Sequence, residues 1–442
     1  MKPRPNLPPG PYLIVGLARS GQAVARALHA RGEQVLGVDM GAPTGLEALA
    51  AAGVELHLNE HGVELLELVR TVVKSPGVPA RAPVIERARS HGMCVLGELE
   101  LAWRLLPNEF IAVTGTNGKT TTVELIGHIH REAGLPVVVA GNVGAALSGL
   151  INVVDERVTV VCEASSFQLE DALEFAPEAA VLLNLTPDHL DRHGTLEAYL
   201  QAKLRVFAHQ SAGDVAVVPL GFETPLPGGA RRVRFGAAPE AHLSASEGAL
   251  LWQGELLLRE DELRLRGRHN VENAMAAAAV CLARGIDVEA VRAGLRGFAG
   301  VPHRLEEVAR RDGVLFVNDS KATNVASTLV ALEAMAAARL PVHLILGGQG
   351  KAQDFTALRA PIREGCRAVY LIGEDAAAIE RAIGGGDLQT HICGELERAV
   401  AQAAAAAIRS EVVLLSPGCA SFDQFADFEA RGECFRELVT HP

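Results

Sequence analysis

Hydrophobic and polar positions along this chain follow a repeating order: a short apolar run, a glycine-containing turn, then an alanine-rich stretch with helical spacing. Unbroken runs of Val, Ile and Leu suit strands buried on both faces, and helices between them suit a parallel sheet. The first such unit is YLIVGLARSGQAVARALHARGEQVLGVDM, which reads as strand, turn, helix, strand. A turn at Lys74-Ser75-Pro76-Gly77 follows the apolar TVV, and helices are expected over 83–91 and 97–106. Pro107-Asn108 then breaks the pattern.

Further strands are expected at 110–113, 136–140, 157–162, 179–184 and 214–218. Between about 230 and 266 the pattern changes to short alternating segments (RRVRF, LLWQG, ELLLR, ELRLR), which predict a small antiparallel excursion. Helices over 269–284 and 288–297 close this stretch. After GVPHR at 300–304, strands are expected at 314–318, 342–346, 368–372 and 411–416. The pattern predicts α/β domains in series over 1–106, 107–300 and 301–442.

Composition narrows the classes of function. The 442 residues are 49% hydrophobic and 21% charged, enough for large cores. A net charge of −12 argues against a nucleic-acid partner, which would favour a basic face. No apolar run reaches the roughly 18 residues of a membrane span. The opening MKPRPNLPPGPY has no apolar core for a signal peptide, so a cytoplasmic protein without membrane attachment is expected. The seven cysteines are widely spaced with no CxxC pair, which fits reduced, buried thiols.

Two glycine turns carry candidate chemistry. Gly16-Leu-Ala-Arg-Ser-Gly21 has the spacing of a dinucleotide turn, with Ala18 where the middle glycine would let a pyrophosphate approach, and Asp39 ends the next strand. The expected ligand is a nucleotide diphosphate, without a commitment to nicotinamide. The second turn is FIAVTGTNGKTTTVEL, 110–125: a strand, then Thr114-Gly115-Thr116-Asn117-Gly118-Lys119-Thr120-Thr121 leading into a helix near Lys119. It lacks the upstream glycine of a standard phosphate loop. Its amides and the helix N-terminus still suit phosphate oxygens, Lys119 suits the β/γ-phosphates, and a Thr120 or Thr121 hydroxyl suits Mg²⁺.

Three clusters follow. CEASSFQLE offers Glu163 just past a strand, with Ser165 and Gln168 nearby; a carboxylate there suits Mg²⁺. TPDHLDRHG gathers Asp188, His189, Asp191 and His193, which alone reads equally as a zinc or manganese site or as a solvated loop. TLEAYLQAKLRVF reads as a helix with Lys203 among apolar neighbours, where a lone lysine usually snorkels to the surface.

Taken in order, GTNGKTT, EASSFQLE, DHLDRH and AKLRVF resemble the Mur ligases of peptidoglycan synthesis. HNVENA, PHRLE, NDSKATN, GGQGK and SPGCASFDQFADFEARG extend the resemblance toward the branch that adds D-glutamate to UDP-N-acetylmuramoyl-L-alanine. The likeness implies a Rossmann-like N-terminal domain, a central P-loop ATPase-type domain and a Rossmann-like C-terminal α/β domain. It implies ATP and two Mg²⁺ ions as cofactors, small-molecule substrates as partners, and a monomer.

Carried over residue by residue, it implies that UDP meets Leu17, Ala18, Arg19, Ser20, Asp39, Ser75 and Gly77. The family has Thr-Arg after the acid where this chain has Met40-Gly41, so only Asp39 transfers. Asn142 would meet the muramoyl-alanine part, with Ser165 and Gln168 nearby. Thr120, Glu163, His189 and a carbamylated Lys203 would ligate Mg²⁺. Asn270 and Asn273 would meet the ATP base, with Arg304, Asp319 and Lys321 around its ribose and phosphates. Thr323, Lys351, Ser421 and Phe428 would line the D-glutamate site. Lys119, His189, Lys203 and Lys321 would carry catalysis.

Overall fold

The computed structural model describes residues 2–142, 145–265, 267–350, 353–384 and 388–441, apart from the side chain of Asp191. The chain divides into two compact units, Met1–Phe298 and Ala299–Pro442. Both are α/β, with mainly parallel sheets. Among the described residues no helix is long and apolar enough to cross a membrane.

The first unit holds two sheets. The smaller is wholly parallel, with strands in the spatial order Glu55–Leu58, Val35–Asp39, Tyr12–Val15, Thr71–Lys74 and Cys94–Gly97. Chain order reverses between Tyr12–Val15 and Thr71–Lys74, which leaves a crevice at their carboxyl ends. Gly16 and Ser75 sit directly after those two strands.

The larger sheet runs Glu255–Arg259, Ala249–Trp252, Leu243–Ser246, Arg231–Gly236, Val215–Pro219, Ala179–Leu182, Phe110–Thr114, Thr159–Glu163, Val137–Gly141. The expected antiparallel excursion is present over 243–259, but its first expected strand is corrected. Arg231–Gly236 pairs parallel on both sides, and only the two pairings among Leu243–Ser246, Ala249–Trp252 and Glu255–Arg259 are antiparallel. Alternation in RRVRF marks a half-exposed strand but carries no information about its direction. Phe110–Thr114, Thr159–Glu163 and Ala179–Leu182 are adjacent and parallel, so their carboxyl ends bring Gly115, Glu163 and Asn184 to one edge.

One apolar core serves both sheets. Ile14, Val24 and Leu28 from the first layer join Trp103, Phe110, Phe175 and Phe207 in a single buried cluster. Trp103 and Phe110 each meet Phe175 edge-on, at 5.7 and 6.2 Å between ring centres. The buried pair of Lys74 and Asp171, 2.7 Å apart, ties the two layers together at the crevice.

The second unit is a six-stranded sheet in the order Glu306–Arg311, Val314–Asn318, Val412–Leu415, Val342–Gly347, Cys366–Ile372, Gln389–Gly394. Its pairings are parallel except at Glu306–Arg311. That strand and Gln389–Gly394 are the two edges. Neither stands out in the sequence, because EEVARR and QTHICG lack an apolar run.

Candidate functional site

The first glycine turn is shaped by contact. Gly16 has φ +88°, and a Cβ there would meet Val78 at 2.7 Å. A Cβ on Gly21 would meet the Gly16 carbonyl at 1.9 Å, so both glycines are required by close packing of strand and helix. Ser75 Oγ donates to that same carbonyl (2.7 Å), joining the two strands that flank the crevice. Asp39 accepts from the Leu17 N–H (2.6 Å) and the Gly41 N–H (2.8 Å), so its carboxylate braces the turn. Ala18, the N-cap of the Arg19–Ala30 helix, has no side-chain cap. The first-turn amides near Arg19 and Ser20 therefore have no capping oxygen from that side chain, an arrangement favourable to an anion. Leu17 is buried, and Gly77 is exposed with open space around it.

The second turn is held from outside. Gly115 (φ +150°) and Gly118 (φ +85°) adopt conformations open to glycine, and the helix Lys119–Glu132 follows directly. Asn184 Oδ1 accepts from the Thr116 N–H (3.1 Å) and the Asn117 N–H (2.9 Å), while its Nδ2 donates to the Asn117 carbonyl (3.1 Å). Thr116 Oγ1 donates to the Thr186 carbonyl and accepts from the Thr186 N–H, both at 3.1 Å. The shortened loop thus borrows its rigidity from the segment after the neighbouring strand. Sequence reasoning missed Asn184, a lone polar residue closing an apolar run. Asn184→Ala is expected to leave the Asn117 amide without its acceptor, while the Thr116 N–H keeps the Asn184 backbone carbonyl (3.2 Å), and to raise the KM for ATP about tenfold, on the scale of lost hydrogen bonds. Initial-rate kinetics with varied ATP check this.

Thr120 Oγ1 donates to Glu163 Oε2 (2.8 Å), and Asn142 Nδ2 donates to Glu163 Oε1 (3.0 Å). Thr121 is buried one residue further along the same helix. Lys119 Nζ donates to the carbonyls of Gly115 (3.0 Å) and Thr116 (2.9 Å). Asn273 packs onto this loop, since a Cβ on Gly118 would meet its Oδ1 at 2.1 Å. Asn273 also donates to Asn270 Oδ1 (3.3 Å), which joins both asparagines to the side of the phosphate loop.

Lys203 does not snorkel. It is 1% exposed, its Nζ donates to the Gly115 carbonyl (2.7 Å), and it lies 4.3 Å from the centre of the Tyr199 ring. Burial, then the charge of Lys119, lower its pKa to about 7. His189 has φ +51° and packs at a tilt against Phe167, with ring centres 4.8 Å apart and planes at 55°. His193 Nε2 pairs with Ser166 Oγ (3.0 Å), and Ser165 and Gln168 form a reciprocal capping box.

The donors test what metal would fit. Among the described residues no group of three or more His, Cys, Asp or Glu side chains could hold an ion, and the side chain of Asp191 lies outside them. A closed zinc cage therefore has no support in these residues. Thr120 and Glu163 are hard oxygen donors beside a phosphate loop, which fits Mg²⁺, an ion that retains waters and shares substrate phosphates.

In the second unit, Asp319 follows Val314–Asn318 and Ser416 follows Val412–Leu415, the neighbouring strand. Asp319 accepts from Ser416 Oγ (2.8 Å) and the Leu305 N–H (3.1 Å), and burial pushes its pKa up to about 7 despite the charge of exposed Arg304. The folded pKa lies above the ordinary 3.8, so the folded state holds the extra proton. That contribution to stability is complete below pH 3.8 and is lost as pH rises through about 7. Asp319→Asn should flatten this fall. Urea unfolding of the full chain across that window measures it.

Lys321 sits 5.8 Å above the Phe428 ring, and Ser320 Oγ donates to the Phe428 carbonyl (2.8 Å). The Thr323 N–H donates to the Lys321 carbonyl (2.9 Å). Ser421 is buried next to Ala420, which exchanges two backbone hydrogen bonds with Gln349 of the GGQGK turn. Lys351 lies outside the described residues. Arg431 was not foreseen. Fully buried, it donates to Ser320 Oγ (3.0 Å) and to the carbonyls of Ser320 (2.9 Å) and Cys419 (3.1 Å). It pins the Asp319–Lys321 turn to the Cys419–Ser421 turn.

Three family descriptions match consecutive stretches: Mur ligase MurD-like N-terminal domain over 11–97, Mur ligase middle domain over 113–281, and Mur ligase, glutamate ligase domain over 303–419. A UDP-N-acetylmuramoylalanine--D-glutamate ligase of Pelotomaculum thermopropionicum is 41% identical, with 97% of this chain and 96% of that relative covered. The chain belongs to the Mur ligase family. A relative of the same name in Anaeromyxobacter dehalogenans is 43% identical over 97% of this chain and 96% of its own length. Among solved structures, the UDP-N-acetylmuramate-alanine ligase of Thermotoga maritima matches with a TM-score of 0.57 at 20% identity, covering 98% of this chain and 99% of that one. At that identity it shows the shared Mur ligase fold.

Proposed function

We propose that this Mur ligase uses ATP to join the L-alanyl carboxylate of UDP-N-acetylmuramoyl-L-alanine to the amine of D-glutamate, in the cytoplasm and as a monomer. The observation that carries the reading is the clipped loop of Gly115–Thr121 with Lys119, Thr120 and Glu163 at one sheet edge, in a chain whose full-length relatives bear that name. Residues 1–106 would bind the UDP substrate, 107–300 ATP and 301–442 the amino acid.

A carboxylate resists attack by an amine because its leaving group would be oxide. A carboxylate oxygen of the L-alanyl group therefore attacks the γ-phosphorus, ADP departs, and an acyl phosphate results. The amine of D-glutamate attacks the acyl carbon, the amine loses a proton, and phosphate leaves carrying the former carboxylate oxygen. The amides at the start of the Lys119–Glu132 helix and the Lys119 ammonium would hold the phosphates, and Lys321 would add a further positive charge. Thr120, Glu163, His189 and Lys203 as a carbamate would hold two Mg²⁺ ions, which when bound offset the crowded negative charge. The near-neutral amine of Lys203 favours this modification, since only the neutral form captures CO₂. Asn142, Ser165 and Gln168 would orient the muramoyl-alanine end.

The test follows one oxygen atom. With oxygen-18 in the L-alanyl carboxylate, released phosphate should carry one labelled oxygen; unlabelled phosphate would mean water, not the carboxylate, takes the phosphoryl group. For the amino acid, Thr323, Ser421 and the Phe428 amide, with Lys351, would serve the two carboxylates of D-glutamate. Ser421→Ala is expected to lower kcat/KM for D-glutamate by about ten- to a hundredfold. The affinity for the UDP substrate, measured by calorimetry, should change little.

A further inference from the structure

The loop that carries His189 is wired to the turn that follows the switch point of the first sheet. Arg192 lies one helical turn past His189, and its guanidinium donates to the carbonyls of Pro76 (3.0 Å) and Val78 (3.3 Å). Glu170 Oε2 accepts from the same group at 2.8 Å, and the ring of Phe167 lies 4.1 Å beneath it. Phe167 also packs at a tilt against His189, ring centres 4.8 Å apart, so one aromatic ring contacts both the arginine and the histidine. Lys74 donates to the same Val78 carbonyl (2.9 Å) and pairs with buried Asp171, one residue after Glu170. The segment 165–171 is therefore braced from the side of either sheet. Arg192 Nε finds no acceptor among the described residues, so the guanidinium has a donor in reserve for another pairing.

We propose that Arg192 is a positioning residue that couples the two nucleotide sites: occupancy of the Ser75–Val78 turn by the UDP substrate sets the His189 loop for Mg-ATP, and Mg-ATP sets the turn for the UDP substrate. The inference rests on the function proposed above. Its physical content is a fork that no other side chain reproduces. The planar guanidinium reaches two carbonyls of one turn while stacked on the ring that supports the histidine. Displacement of either end changes the fit of the other, and linkage makes the effect equal in both directions.

Calorimetry on the full chain tests this. The affinity for UDP-N-acetylmuramoyl-L-alanine is measured with and without a non-hydrolysable ATP analogue and Mg²⁺. In the native protein the nucleotide should tighten binding within the range of about 5- to 150-fold typical of such coupling. In Arg192→Lys, which keeps the charge and loses the fork, the ratio should fall toward one, while the substrate measured alone loses less than the ratio does. Glu170→Gln, which removes the carboxylate that aims the guanidinium, should move the ratio in the same direction and serves if the lysine variant melts early. A native ratio of one, or an undiminished ratio in a folded variant, overturns the coupling and leaves the proposed function standing. A native protein that binds neither ligand overturns both.

Discussion

Lys119→Ala is expected to cut ATP-dependent phosphate release by at least about a hundred- to a thousandfold, the cost typical of removing one preorganised charge from a transition state. Calorimetric affinity for UDP-N-acetylmuramoyl-L-alanine should stay near native, because the Gly16 and Ser75 turns belong to a different sheet. Lys119 Nζ spans the loop by bonding the Gly115 and Thr116 carbonyls, so it also holds the loop closed around its own charge. Lys119→Met retains the stem and removes only the ammonium, which separates packing from electrostatics. Near-normal turnover in both variants would remove the loop from the phosphoryl-transfer site.

The second large effect concerns Lys203. A buried ammonium has two routes to low energy: it can shed its proton, or it can be converted to an anion that a cation neutralises. Its pKa near 7 makes the first partly true at neutral pH. In the proposed modification the neutral amine would attack CO₂, form a C–N bond and lose a proton, leaving an anionic carbamate. Turnover should fall on careful removal of CO₂ and recover with bicarbonate. Lys203→Ala should lose about a hundredfold or more, the scale of a lost charged group at the reacting centre, and should show no bicarbonate response. Labelled bicarbonate gives an independent readout in carbon-13 spectra. Full native activity without CO₂ would leave Lys203 as an ammonium buttress of the Gly115 carbonyl.

The parts legible in the sequence are those whose cause is local. The helix start at Lys119 follows from a glycine turn meeting an amphipathic run, and the structure begins that helix at the same residue. The central strands of both units are apolar runs because both their faces are covered. Glu306–Arg311 and Gln389–Gly394 escape notice for the opposite reason: charged and polar residues protect sheet edges. Asn184 and Arg431 are hidden differently. Each acts on a turn far along the chain, 67 residues away for Asn184 and Asn117, 111 for Arg431 and Ser320, and no local pattern records such a partner. The burial of Lys203 belongs to the same class, since the Gly115 carbonyl that receives it is 88 residues distant.

The choice of D-glutamate as the acceptor of the activated L-alanyl group is tested most directly by phosphate release. Phosphate release from ATP is measured with UDP-N-acetylmuramoyl-L-alanine and one amino acid at a time: D-glutamate, L-glutamate, L-alanine, D-alanine and glycine. Sustained release is expected with D-glutamate alone, with one amide product formed for each phosphate. Preference for L-alanine, or release that ignores the amino acid, would contradict it.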